Sequence, residues 1–119
     1  METLCYIREI YQAIAEFENY FHKTHDLCLN EGMLLCVLKE GPLTSGEIAK
    51  KLNLSQSNTS KVLRSVEMKG LILRDLGEKD RRQMYYTVTQ EGVKKLSSLK
   101  CEKEQLPEIL KCIANNHDK

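Results

Sequence analysis

The chain has 119 residues, 29% charged and 41% apolar, with a net charge of +1. That is enough for one core and is the composition of an ordinary soluble domain. It contains no apolar run near the roughly 20 residues that a membrane span needs. Its five cysteines, Cys5, Cys28, Cys36, Cys101 and Cys112, are odd in number, widely spaced and without a CxxC, which argues against a disulfide framework or a zinc ribbon.

The N-terminus, METLCYIREIYQ, is charged and amphipathic rather than signal-like, so a cytoplasmic location is the default expectation. Leu4, Ile7, Ile10, Tyr11, Ile14, Phe17 and Phe21 recur at three- and four-residue steps. This periodicity predicts an amphipathic helix over Glu2–Lys23. Asn30 is placed as the N-cap of a second, more buried helix, EGMLLCVLKE, which EGPL ends because the residue before Pro42 is pushed out of the helical region. Thr44 and Glu47 have the spacing of a capping box, opening a short third helix with Ile48, Ala49 and Leu52 inward. A tight NLS turn follows. Ser55 caps a fourth helix in which Thr59, Val62, Leu63 and Val66 share a face, and Gly70 is its expected left-handed terminus.

LILRDL and RQMYYTVT read as two strands. The loop between them carries five charges in the six residues Glu78–Gln83. Met84, Tyr86 and Val88 share a strand face expected to anchor this hairpin to the core. Thr89 caps a long terminal helix bearing Val93, Leu96 and Leu99. Pro107 interrupts it, and Leu106, Ile109, Leu110 and Ile113 continue the apolar pattern. The cysteines are expected to be small core residues.

Charge is unevenly distributed. Between Lys50 and Lys95 there are eleven basic and five acidic residues, a balance of +6, while the rest of the chain carries −5. A basic middle between acidic ends points to a polyanion facing the middle.

Three short helices, a tight turn before the last of them and then a hairpin make a winged helix-turn-helix. The expected fold class is therefore mainly α with a small β-hairpin. Residues 1–119 are read as a single domain, with a winged-helix lobe over 30–90. The outer face of the fourth helix shows Gln56, Ser57, Ser60, Lys61 and Arg64, with Asn58 at its start. Short hydrogen-bonding side chains near a helix N-terminus can reach base edges in a major groove, and cations further along meet phosphates. Thr44, Ser45, Lys50 and Lys51 on the preceding helix can meet the backbone. Lys79, Arg81 and Arg82 at the hairpin tip suit a minor groove, with Asp80 aiming an arginine fork. Each feature also has a plainer reading, as a cap or a solvated charge; the combination favours DNA.

The segment GPLTSGEIAKKLNLSQSNTSKVLRSVEMKGLILRDLGEKDRRQMYYTVTQEG, Gly41 to Gly92, resembles the central region of MarR-type transcriptional regulators. The resemblance implies a homodimer, paired through helices at 1–25 and 90–116, on a palindromic operator in double-stranded DNA. It implies the fourth helix in the major groove, Arg82 in the minor groove with Asp80 as its orienter, and a small-molecule effector as a further partner. Gly46, inside the third helix, departs from the pattern and is expected to cost helix stability. Cys5 beside Tyr6 and Tyr11 loosely resembles the peroxide-sensing branch, although core packing is expected instead.

The expected DNA contacts are thus Thr44, Ser45, Ser55, Gln56, Ser57, Asn58, Ser60, Lys61, Arg64, Lys79, Asp80, Arg81 and Arg82. His22 and His25 form an i, i+3 pair, too weak a signal to assign a metal. No nucleophile, base and acid arrangement supports an enzyme, and no cofactor is expected. The rival reading is a winged-helix module that docks protein rather than DNA. It would call for exposed apolar anchors.

Overall fold

The computed structural model describes residues 2–76, 83–99, 107, 108 and 111. The chain forms two compact units, one of Met1–Leu29 with Lys100–Lys119 and one of Asn30–Leu99. No helix among the described residues is long and apolar enough to cross a membrane.

In the first unit, α1 spans Thr3–His25, slightly beyond the expected end. It stops where Asp26 turns left-handed at φ 56°, its N–H donating to the His22 carbonyl at 2.9 Å. His22, Lys23 and His25 in the last turn suit the negative end of the helix dipole. Phe21 is buried, its ring 4.9 Å from that of His25 and 5.9 Å from that of Phe17. Ile10 and Phe17 are half-buried, and the remaining four residues of the stripe are outward: Leu4 is 81% exposed, Ile7 44%, Tyr11 71% and Ile14 40%.

The second unit opens with α2, Leu29–Leu38, whose Leu34, Leu35 and Leu38 are buried. Asn30 does not cap it. The helix begins one residue earlier, and the polar group that organises its first turn is Glu31. That carboxylate is buried and accepts hydrogen bonds from Ser65 Oγ at 2.6 Å and Lys69 Nζ at 3.1 Å. It ties α2 to the far end of α4. Gly41, at φ 148°, donates its N–H to the Leu38 carbonyl at 3.1 Å and turns the chain into Pro42.

Next come β1 (Leu43–Thr44), α3 (Ser45–Leu52) and α4 (Gln56–Met68), then β2 (Ile72–Leu76), β3 (Met84–Val88) and α5 (Gln90–Leu99). The three strands pair antiparallel in the order β1-β3-β2. The hairpin is therefore part of a three-stranded sheet, with Leu43 opposite Tyr86 and Thr44 opposite Tyr85. Two residues are too few to show a strand periodicity, so β1 had no sequence signal. Ile72, Arg74 and Leu76 lie opposite Val88, Tyr86 and Met84 on one face. Val88 and Tyr86 are half-buried, while Met84 at the outer end is exposed.

Leu34, Leu35, Leu38, Ile48, Leu63, Val66, Leu71 and Ile72 fill the core of this unit, with the buried Thr59 hydroxyl donating to the Ser55 carbonyl at 2.8 Å. No described cysteine belongs to a core: Cys5 is half-buried and Cys28 and Cys36 are exposed. Leucine and isoleucine already fill the interior, and Cys36 falls between the inward positions of α2. Cys101 and Cys112 lie outside the described residues.

Where α4 ends and α5 begins, the chain crosses itself. Gly70 is left-handed at φ 76°; its N–H donates to the Glu67 carbonyl at 2.9 Å and that of Leu71 to the Val66 carbonyl at 3.3 Å, a Schellman ending. Thr89 caps α5 as expected, accepting from the Gly92 N–H at 3.1 Å while its hydroxyl donates to the Gly70 carbonyl at 2.7 Å. A Cβ at Gly92 would overlap the Leu71 carbonyl oxygen and Val88 Cγ1, so only glycine fits. Gly46 is the opposite case: a Cβ there would find nothing nearer than Thr44 Oγ1 at 4.0 Å.

The two glycines therefore predict opposite stability changes. In urea unfolding, Gly92→Ala should cost about 2–3 kcal/mol, the scale of overpacking against fixed neighbours. Gly46→Ala should stabilise by up to about 1 kcal/mol, because alanine is the better helix former and meets no obstacle.

Candidate nucleic-acid interface

The turn between α3 and α4 is fixed at both ends by hydrogen bonds. Asn53 is left-handed at φ 55°, its N–H donating to the Lys50 carbonyl at 3.3 Å. The Leu54 N–H reaches back to the Ala49 carbonyl at 3.0 Å. This second Schellman ending stops α3, and one residue later Ser55 Oγ accepts from the Asn58 N–H at 3.1 Å to start α4. The tight turn expected from NLS is present, with a defined geometry at each residue.

At the other end of α3 the expected capping box is complete. The Thr44 N–H donates to Glu47 Oε1 at 2.9 Å, and the Glu47 N–H donates to Thr44 Oγ1 at 3.2 Å. The Thr44 hydroxyl, one of the expected DNA contacts, thus also holds the helix. Ser45 and Gln56 are joined as well: Gln56 Nε2 donates to Ser45 Oγ at 3.2 Å across the two helices. Gln56 is drawn back onto α3 instead of projecting along α4, a contact eleven residues apart that the sequence did not signal.

Thr59, Leu63 and Val66 of α4 are buried, and Ser55, Gln56, Ser57, Asn58, Ser60, Lys61 and Arg64 are exposed. The expected division of faces is present. Ser57 and Lys61 lie along one row, and Ser60, Arg64 and the half-buried Glu67 lie along a second. The second row, with Leu63 between, looks across at the sheet. Together with Ser45, Arg74 and Tyr86 it lines a cleft of about 340 Å³. In that cleft Arg74 and Glu67 form an ion pair, Nε lying 3.1 Å from Oε2. With the two side chains 55% and 33% exposed, such a pair contributes only about 0–1 kcal/mol to stability. Neither Glu67 nor Arg74 was singled out in the sequence.

The four wing residues Lys79, Asp80, Arg81 and Arg82 lie outside the described residues. Among the described residues no group of three or more histidine, cysteine or acidic side chains could hold a metal ion. His25 packs on Phe21 and His22 is exposed; His117 is outside the described residues.

Residues 32–84 match the model of the MarR family. The chain is 31% identical over 70 residues to the transcriptional regulator AdcR of Streptococcus pneumoniae, a match covering 57% of this chain and 48% of AdcR. The transcriptional regulator BldR of Sulfolobus solfataricus superposes with a TM-score of 0.78 at 25% identity, covering 92% of this chain and 86% of BldR. The similarity to the MarR family lies in the winged-helix unit. The MarR-family match runs from α2 to the start of β3, taking in the whole turn and α4. The chain spans about half the length of the curated relative, AdcR. S. aureus MepR, solved as a DNA complex, shares the fold at a TM-score of 0.67 and 23% identity over 94% of this chain and 93% of that one.

The capping box gives a pH dependence. Hydrogen bonds from the Thr44 N–H and then from its hydroxyl, with Lys51 nearby, hold the Glu47 carboxyl below the ordinary carboxylate range. A depressed folded-state pKa contributes stability above the unfolded value and loses it as pH falls through the folded one. The stability gap between the native chain and Glu47→Ala should be full at neutral pH and shrink below about pH 4. Chemical unfolding across pH tests this; a gap that widens in acid would contradict the assignment.

Proposed function

We propose that the chain is a dimeric, sequence-specific DNA-binding transcriptional regulator. The observation that carries this reading is the exposed polar face of α4, set opposite its buried face and held at both ends, within a MarR-family winged helix. On this reading α4 enters the major groove. Ser57, Asn58 and Ser60 read base edges, with Gln56 and Ser55 at the helix start. Lys61 and Arg64 hold phosphates, and Thr44 and Ser45 meet the backbone from α3. Lys79, Arg81 and Arg82 form the wing in the minor groove, where negative potential favours arginine, and Asp80 directs Arg82.

Dimerisation is supported by α1. Leu4, Ile7, Tyr11 and Ile14 repeat at three and four residues, the spacing of a helix-pairing seam, and all four are exposed in the single chain. A two-fold dimer formed there would place two copies of α4 on a palindromic operator.

Protein docking without DNA has one observation in its favour. Leu73, Leu76 and Met84 are exposed on the hairpin and could serve as anchors. From Gln56 to Arg64 the exposed residues of α4 are all polar, with the exposed Met68 at its last position, and that polar stretch favours DNA.

Binding to a random duplex should weaken steeply as salt rises, and Arg82→Ala should lower the slope of log affinity against log salt by about one. No detectable binding at low salt would leave protein docking as the better reading. Sedimentation at micromolar concentration should give about twice the 13.7 kDa chain mass. Ile7→Asp should shift the population toward monomer, because it buries a charge in the proposed seam.

A further inference from the structure

The cleft between α4 and the sheet collects an unusual set of groups. Arg64 and Arg74 supply two cations, Ser45, Ser60 and Tyr86 supply hydroxyls, and Glu67 is the carboxylate among them. Glu67 is paired with Arg74, its Oε2 lying 3.1 Å from Nε. A guanidinium has five N–H donors in a planar fork, so one carboxylate beside it leaves donors to meet another oxyanion. The pair is too exposed to serve stability much.

A helix lying in a major groove has a phosphate strand on each side. Ser57 and Lys61 lie on one side of α4, and Ser60, Arg64 and Glu67 line the cleft on the other. We infer that the cleft seats one backbone phosphodiester of the DNA, held by Arg74 and Arg64, with Glu67 as the positioning residue that aims Arg74. Arg74 comes from β2, so this contact ties the sheet as well as α4 to the same strand. The assignment rests on the DNA-binding reading above and adds two residues to it.

The test separates aim from charge. Counting charges alone, removing the Glu67 carboxylate from a surface that faces DNA should tighten binding. A positioning role requires the reverse. The measurement is binding of a fluorescent random-sequence duplex by the full chain over a range of salt concentrations, with each variant's thermal melt recorded.

Arg74→Ala should weaken binding about tenfold at low salt and lower the salt slope by about one, as loss of one phosphate contact does. Glu67→Gln should weaken binding by about threefold or more with the slope nearly unchanged. Arg74→Lys should keep the slope but not restore affinity, because an ammonium lacks the fork. Lys94→Ala, which removes an exposed cation on α5, should leave both unchanged.

Two outcomes overturn the assignment while the DNA reading stands. One is an unchanged slope in Arg74→Ala; the other is tighter binding by Glu67→Gln. Failure of the native chain to bind at any salt concentration removes the DNA reading and this assignment together.

Discussion

One hydroxyl group sits where four elements meet. Thr89 Oγ1 donates to the Gly70 carbonyl at 2.7 Å and accepts from the Gly92 N–H at 3.1 Å, while the Thr89 N–H donates to the Leu71 carbonyl at 3.0 Å. Gly70 and Leu71 close α4 and lead into β2; Thr89 and Gly92 leave β3 and open α5. Both ends of the hairpin are thus locked at one point, and the missing side chain of Gly92 lets the helix approach that closely. The direction of the wing relative to α4 depends on this junction, since β2 leaves α4 with Gly70 as its one left-handed residue.

The helix itself is held at both ends by different means. Its start is set by the Ser55 cap and the left-handed Asn53 just before it. Its end is set by the Schellman bonds and by Glu31, the buried carboxylate joined to Ser65 and Lys69. Buried charge pairs are weak evidence for stability, because desolvation offsets much of the attraction. They do define position, since any shift of α4 along α2 would leave a carboxylate buried without these donors. A helix that reads a surface by short side chains such as serine and asparagine needs that definition, as these groups cannot stretch to correct a misplaced backbone.

The legible parts of the fold were the local ones. Capping at Thr44, Ser55 and Thr89 acts over three residues, so its spacing is visible along the chain. The two faces of α4 follow from the helical period, and the left-handed Gly70 from the absence of a Cβ. What the sequence hid was contact between distant positions. The strand β1 exists because Leu43 and Thr44 find Tyr86 and Tyr85, some forty positions on. Glu31 reads as an ordinary helix-start acid until Ser65 and Lys69 close over it. Gln56 reads as free to project along α4 until Ser45 draws it back. In the candidate site, α4's exposed side chains were legible by period. Arg74 was not, because its place beside Glu67 is set by the reversal of the chain at Gly70.

On the proposed reading, a carboxylate on the surface that meets DNA calls for a reason, because it opposes the phosphates. Unit charges about 4 Å apart interact by roughly 1–4 kcal/mol between bulk water and a protein surface. Glu67 therefore subtracts attraction from the face that α4 presents. What it returns is geometry. A free arginine carries about 2 kcal/mol of rotamer entropy, and an arginine already held by one edge loses less of it when the other edge meets an oxyanion. Glu67 is paired with Arg74 in the cleft, and in the wing sequence Asp80 stands two residues before Arg82. On the proposed reading, a chain of net charge +1 binds a polyanion through its basic middle, and the carboxylate beside Arg74 aims one of those cations in advance.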